Sequence, residues 1–404
     1  MSVAIGSLVF ALLTDQGTDT ISAQKGGSKM PVMHDGALQV ELVTQGLKFP
    51  TSMSFVDDDD ILVLQKNDGQ VRLVSGGTLM QKPILQGNVA NGAEEGLLGI
   101  ATRTAGNSTE AFIYLTENGT GKAVNRIYKY NWENKSLENG TLVFDLGTGP
   151  GPYHNGGKVK VGPDGYLYAI TGDMTDSWSV LDNEGEGRVD HRSAVARIER
   201  ETGQAPADNP FYRQKGLDKV FAYGIRNSFG MDFDPLTGNL WITENGPDKY
   251  DEIDIARQGF DSGWDRLSGP LARSNVTAAD LVMLDGAHYA DPVFSWQLPV
   301  GVTDIAFFDS NRLGEKYKDN IFVGDVNNGN LYFFQVNQNR TGLQLGGNLS
   351  DLVADTYTEG NETKTEAPPL VAGEGFGRIT DIETGPDGYL YVLTYEDGRI
   401  YRIT

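Results

Sequence analysis

The heptapeptide GPDGYLY occurs twice in the chain, at residues 162–168 and again at 385–391. In GPDG the proline presets φ for a turn, the aspartate can accept from backbone two residues on, and the glycine tolerates positive φ. The tails, YLYAIT (166–171) and YLYVLT (389–394), continue as extended segments, so each copy reads as a tight turn entering a β-strand. Looser forms of the unit recur as NDGQVRLV (67–74), DPLTGNLWIT (234–243), NNGNLYFFQV (327–336) and EDGRIYRI (396–403). Turn-and-strand units spread over nearly the whole chain point to small antiparallel sheets repeated radially, an arrangement that limits exposed strand edges.

The expected fold is an all-β, six-bladed β-propeller, because residues 38–404 fill about six blades at about 60 residues per four-stranded blade. No long window carries the i, i+3, i+4, i+7 apolar pattern of a helix, and glycine, at 51 of 404 residues, exceeds ordinary usage. A two-sheet sandwich is the competing all-β reading, but it rarely needs so many hairpins. With 39% hydrophobic residues the chain can bury a core. No Pro/Ser-rich linker or charge block divides residues 38–404, which therefore read as one domain.

Residues 1–37 read as a signal peptide or N-terminal membrane anchor plus a flexible leader. VAIGSLVFALL (3–13) is too short to span a bilayer and suits a signal-peptide h-region, and Ile21-Ser22-Ala23 offers a cleavage site, although no Lys or Arg precedes the run. A buried strand is the alternative for that run. Eight N-x-S/T sequons, at Asn107, Asn118, Asn134, Asn139, Asn275, Asn339, Asn348 and Asn361, support a secreted or cell-envelope glycoprotein. The absence of cysteine excludes disulfides and thiolate chemistry. A net charge of −22 argues against nucleic acid and anionic membrane surfaces as partners.

Of four histidines only His154 sits in a suggestive setting, YHNGGKVKVGPDGYLYAITGD (153–173), where a Gly pair permits close approach of backbone or ligand. A turn histidine of no consequence is the bland alternative. Arg226 and Asn227 follow the apolar stretch VFAYGI and so can project from a strand terminus into a central space. ENGP (244–247) followed by Asp251 and Glu252 offers turn carbonyls and two carboxylates, hard oxygen ligands suited to Ca²⁺. In a chain this acidic a solvated loop is the other reading.

These stretches together resemble the glucose/sorbosone dehydrogenase family, six-bladed propellers that include soluble pyrroloquinoline quinone (PQQ)-dependent aldose sugar dehydrogenases. The likeness covers roughly residues 42–404 and rests on EEGLLGIA (94–101), HNGGKVKVGPDGYLYAITGD (154–173), DNPF (208–211), YGIRNSFGMDFDPLTGNLWITENGP (223–247), DEIDIARQGFDSGW (251–264) and GRITDIETGPDGYLYVLT (377–394). The resemblance implies that His154 is the general base for the anomeric hydroxyl, that Asp173 orients it, and that Glu94 is a polar residue of the sugar site. It likewise implies that Arg226 and Asn227 hold the quinone oxygens and that Arg378 meets a cofactor carboxylate. The carbonyls of Gly246 and Pro247 match ligands of the Ca²⁺ that polarises the cofactor, and Glu252 with Asp251 matches a second, structural Ca²⁺ site. The implied partners are a sugar substrate and an external electron acceptor.

Two departures stand out: Asn327 takes the place of a family lysine, and Thr380 that of the second of two closely spaced arginines. At about 1.5–3 kcal/mol per hydrogen bond to a charged group, two losses amount to roughly 3–6 kcal/mol of PQQ affinity. The leading expectation is thus PQQ- and Ca²⁺-dependent oxidation of an aldose at C1 to a lactone. The alternatives are a non-catalytic glycosylated surface propeller and a Ca²⁺-dependent hydrolase on the same architecture.

Overall fold

The computed structural model describes residues 30–119, 122–146, 152–174 and 191–404. The apolar run at 3–13 and the cleavage site lie outside the described residues. The chain is an all-β propeller: among the described residues there is no α-helix, only short 3₁₀ turns, and the strands form six sheets of four to six strands plus a two-stranded ribbon, Thr356–Glu359 with Glu362–Thr365.

Each sheet is built on four antiparallel strands, with Phe260–Asp261, His288–Tyr289 and Val353–Ala354 added in parallel at outer edges, and the innermost, here called the first strand, faces the axis. These first strands are Pro50–Phe55, Leu97–Ala105, Val159–Val161, Met231–Phe233, Val302–Phe308 and Ile379–Thr384. They touch one another in that order, and the last returns to the first, so the ring is closed. Closure is made by strand pairing between regions near the two ends of the ring. The early strand Val40–Gln45 is the outermost strand of the final sheet and pairs antiparallel with Arg399–Ile403, so the two chain regions lock the ring together.

The core is divided among the spaces between neighbouring sheets. In the strand Asp60–Gln65, Ile61 and Val63 pack toward the final sheet while Leu62 and Leu64 pack toward the next one. Because side chains alternate across a strand, a strand flanked by sheets on both faces must be apolar throughout. That explains why the second strands read as unbroken hydrophobic runs rather than alternating ones, as in Leu167–Thr171 and Leu390–Thr394, all of whose residues are buried.

Both copies of GPDGYLY form the hairpin between first and second strands of their sheets, the same place in the repeat. Their polar contacts match. Tyr168 donates its hydroxyl to Asp164 (2.8 Å), and Tyr391 to Asp387 (3.0 Å). Directly opposite each tyrosine on the third strand stands an arginine, Arg197 or Arg402, which reaches the same aspartate at 2.9 and 3.1 Å. The heptapeptide therefore specifies an Asp–Tyr–Arg clasp as well as a turn.

The sequence-based boundary at residue 38 falls too late. Val32–Met33 pairs with Val371–Glu374, and Tyr317 donates its hydroxyl to Asp35 (2.8 Å), so the end of the expected leader is an edge strand of the fifth sheet. Two residues of ladder are too short to show a period-2 pattern, which is why no strand was legible there.

Candidate functional site at the ring axis

The starts of all six first strands surround an axial cavity of about 110 Å³. Thr51, Leu98, Lys158, Phe229, Thr303 and Thr380 each contribute to its wall, one from or just before each first strand, and Lys66, Glu94, Arg226, Asn227 and Arg378 are among the polar residues that line it. Sequence-distant residues converge here because the loop that enters each first strand opens on the same face of the ring.

His154 lies in such a loop, buried and with φ of +56°. Its backbone N–H donates to Glu94 Oε2 (2.7 Å), and its carbonyl accepts from Met174 N–H (3.3 Å), which together hold the left-handed conformation. The following glycines are required by space: a Cβ on Gly157 would lie 2.4 Å from Leu98 Cβ, and one on Gly156 would lie 2.6 Å from the Ile170 carbonyl oxygen. His154 Nδ1 is 2.6 Å from Asp173 Oδ1, and Asp173 Oδ2 accepts from Trp264 Nε1 (3.0 Å). A carboxylate only accepts, so Nδ1 carries the hydrogen, and in the neutral imidazole Nε2 keeps the lone pair.

Glu94 ties this pair to the cavity wall. The same Oε2 that holds the His154 backbone accepts from Asn227 Nδ2 (3.1 Å). His154 and Asp173 are thus one residue behind the lining. Residues 147–151 and 175–190, which flank them in sequence, lie outside the described residues. Arg226 donates to the carbonyls of Asn245 (2.9 Å) and Gly246 (3.2 Å) and stacks 5.4 Å from the Trp264 ring, while burial lowers its pKa. The structure therefore brings Glu94, His154, Asp173, Arg226 and Asn227 together.

The cation-ligand expectation fares differently at each residue. Asp251 is turned away from Glu252: its Oδ1 accepts from Gly246 N–H, and its Oδ2 accepts from the N–H groups of Val300, Gly301 and Val302, at 2.7–3.2 Å. Adjacent residues of the strand Asp251–Ile255 point to opposite faces, so Asp251 and Glu252 cannot share an ion. What joins Glu252 is Asp254, two residues on, and Glu244, its cross-strand partner. One ligand atom from each of these three buried residues lies within 4.8 Å of the others. Asp254 has neither carboxylate oxygen hydrogen-bonded among the described residues. Glu252 accepts from Gly269 N–H. Burial, with the neighbouring carboxylates adding to it, pushes the pKa values of Glu252 and Asp254 well up, and burial raises that of Glu244 to about 7. Such a set suits a divalent cation with oxygen ligands. Glu244 also accepts from Arg226 N–H (2.8 Å), so the cluster stands directly behind the axial site. The Gly246 carbonyl faces Arg226, and Pro247 is half-buried outside the cavity lining.

At the cofactor positions, Arg378 lines the cavity and pairs with Glu396 (3.1 Å). Asn327 does not line it. Its side chain is exposed and donates to the Pro299 carbonyl (3.5 Å), and the preceding Val326 takes its place in the wall. Thr380 does line the cavity, with its hydroxyl donated to the Pro50 carbonyl (2.9 Å).

Sequence reasoning missed Lys66, Lys158, Glu244, Asp254 and Trp264. Asp254 was legible in DEID as the residue two beyond Glu252 on a strand. The others depend on cross-sheet proximity that no spacing reveals. Lys158, part of the cavity wall, holds its Nζ 2.7 Å from both Asp304 and Asp381 and so ties three sheets together. Asp381 in turn accepts from Met53 N–H (2.6 Å), which brings in a fourth sheet.

Residues 47–402 match the family model "Glucose / Sorbosone dehydrogenase". Aldose sugar dehydrogenase YliI of Escherichia coli is 26% identical over 386 residues, which cover 91% of this chain and 93% of the relative. Quinoprotein glucose dehydrogenase B of Acinetobacter calcoaceticus is 24% identical over 257 residues, 57% of this chain and 52% of that one. Among solved structures, the PQQ-bound form of the aldose sugar dehydrogenase from Streptomyces coelicolor superimposes with a TM-score of 0.67 at 21% identity, covering 91% of this chain and 98% of that one. The chain belongs to the glucose/sorbosone dehydrogenase family.

Proposed function

We propose that each of the six sheets is one propeller blade and that the protein is a PQQ- and Ca²⁺-dependent dehydrogenase that oxidises an aldose at C1 to a lactone, with electrons passed to an external acceptor. The observation that carries the reading is the His154–Asp173 pair, held through Glu94 against the Asn227 wall of the axial cavity. When bound, the quinone supplies the hydride acceptor. The chain's own share is proton transfer and orientation. Asp173 keeps hydrogen on His154 Nδ1, which leaves Nε2 able to take the proton of the anomeric hydroxyl. Glu94 sets the distance between that base and Asn227.

The lining fits a polar, carboxylate-bearing group. Asn227 Oδ1 and Thr303 Oγ1 are buried without a hydrogen-bond partner among the described residues, and Lys66, Arg226 and Arg378 place positive charge around the space. Glu244, Glu252 and Asp254 would hold Ca²⁺, replacing the Asp251–Glu252 pair. By fixing Glu244 the ion would steady the Arg226 backbone. An extracytoplasmic location is supported by the sequons, all eight of whose asparagines are exposed, and no helix among the described residues is long and apolar enough to cross a membrane.

The test is to add PQQ and Ca²⁺ to purified protein, then an aldose and an artificial dye acceptor. Sugar-dependent bleaching of the quinone absorbance with matching dye reduction is the expected result. Unchanged absorbance with a panel of aldoses would overturn the reading.

A further inference from the structure

Lys66 follows the strand Asp60–Gln65 and is completely buried. Its backbone is anchored at both ends: its N–H donates to the Phe49 carbonyl and its carbonyl accepts from Leu97 N–H, each at 3.1 Å. The glycine of EEGLLG makes its seat, since a Cβ on Gly96 would stand 2.6 Å from Lys66 Cγ. The side chain runs to the axial cavity and lines it.

An ammonium has three hydrogens to place. Among the described residues, that of Lys66 makes one hydrogen bond, to Asn67 Oδ1 (3.0 Å), and no carboxylate lies within 4.0 Å of it. The nearest negative charges, Glu94 and Glu95, are already engaged. Glu94 Oε2 serves His154 and Asn227, and Glu95 Oε2 accepts from Gly92 N–H (3.1 Å). The contrast with Lys158 is instructive, since that equally buried lysine has an aspartate on each side. A buried cation that no carboxylate contacts opposes folding: Glu94 and Glu95 attract it from a distance, but burial outweighs them and lowers the Lys66 pKa to about 8. A cost of this kind is retained where it serves a ligand.

We propose that Lys66 is a carboxylate-binding residue of the axial cavity, receiving an anionic oxygen of the molecule bound there. This rests on the reading of the cavity as a quinone and sugar site, which offers two sources for the carboxylate: PQQ itself, or the C6 carboxylate of a hexuronic acid. In either case Lys66 supplies charge that the sequence places at neither Asn327 nor Thr380.

The test compares the parent with Lys66→Gln, which keeps a polar chain for Asn67 and removes the charge. Free of ligand, the variant should melt higher than the parent. PQQ is titrated into both, with its uncharged trimethyl ester as control; a hexuronate is titrated into both after loading, with the matching neutral hexose as control. At least tenfold weaker binding of one carboxylate probe, a shallower salt dependence and an unchanged affinity for its neutral control are expected, and the probe that responds identifies the source. The proposal is overturned if Lys66→Gln fails to fold, or if it binds both carboxylates as the parent does. If the parent binds neither PQQ nor its ester, the proposed function falls and this inference with it. If the parent binds PQQ and the variant binds both carboxylates equally well, only the role of Lys66 is lost.

Discussion

His154 Nδ1 stands 2.6 Å from Asp173 Oδ1 across 19 residues of sequence, and Trp264 Nε1 occupies the other oxygen of that aspartate at 3.0 Å. With both oxygens engaged, the carboxylate cannot rotate, and the imidazole it holds is fixed in both plane and tautomer. Substituting Asp173→Asn places an amide N–H against Nδ1 or deprives Trp264 of its acceptor. Either choice disturbs the base, so dye-linked turnover should fall by about 10²–10⁴ while the fold is kept. Steady-state kinetics alongside a thermal melt check this, and near-parent turnover would remove His154 from the proposed role.

The buried carboxylates Glu244, Glu252 and Asp254 should make stability depend on pH and, if they hold the proposed Ca²⁺, on metal as well. Burial raises the Glu244 pKa from 4.5 to about 7. A group whose folded pKa is raised contributes stability that is fully present below its unfolded pKa and lost as pH rises through the folded value. Chelated protein should therefore melt lower at pH 8 than at pH 5. Added Ca²⁺ should reverse this, most strongly above pH 7, where the ligands are ionised. At a hundredfold excess over Kd the gain is about 2.7 kcal/mol. Identical melts with chelator and with Ca²⁺ at pH 8 would exclude the site.

Lys158 bridges Asp304 and Asp381 at 2.7 Å each. Replacing it by methionine strands two buried carboxylates and should cost about 3–5 kcal/mol, the penalty of breaking a buried ion pair from one side. Urea unfolding measures it. A loss below 1 kcal/mol would mean that the aspartates take up protons at little cost.

The two heptapeptide clasps make a matched pair of tests. Tyr168→Phe and Tyr391→Phe each remove one hydroxyl bond to the turn aspartate. Each should destabilise by about 1 kcal/mol, and equally, because the arginine opposite is present in both. A large effect at one site alone would show that the repeats are not energetically equivalent.

Asn327→Lys together with Thr380→Arg should lower the PQQ dissociation constant at least tenfold and steepen its salt dependence. The position of the two residues divides the gain unequally. Thr380 lines the cavity and Asn327 lies outside it, so Thr380→Arg alone should account for most of the effect in parallel titrations. Equal gains from the two single variants would contradict this geometry.

The sequence by itself determined the hairpin repeat, the all-β class and the membership of His154, Asp173, Arg226 and Asn227 in one constellation. Turn chemistry is local, and family motifs preserve the order of the loops that enter the first strands. The partition of strand faces was misread: pairing Glu252 with its neighbour Asp251 overlooks that adjacent residues are opposed once they lie in a strand, and the companion the structure gives Glu252 is Asp254, two residues on. Tertiary structure alone decided the rest. Lys66 reads as an ordinary polar residue before a turn, and nothing near it in the chain says that Gly96 seats it or that no carboxylate reaches it. Lys158, Asp304 and Asp381 come from three sheets and meet only because the ring closes. Charge compensation inside a propeller is a property of the axis, where six strands distant in sequence converge, and one-dimensional spacing carries no information about which of their side chains will face one another there.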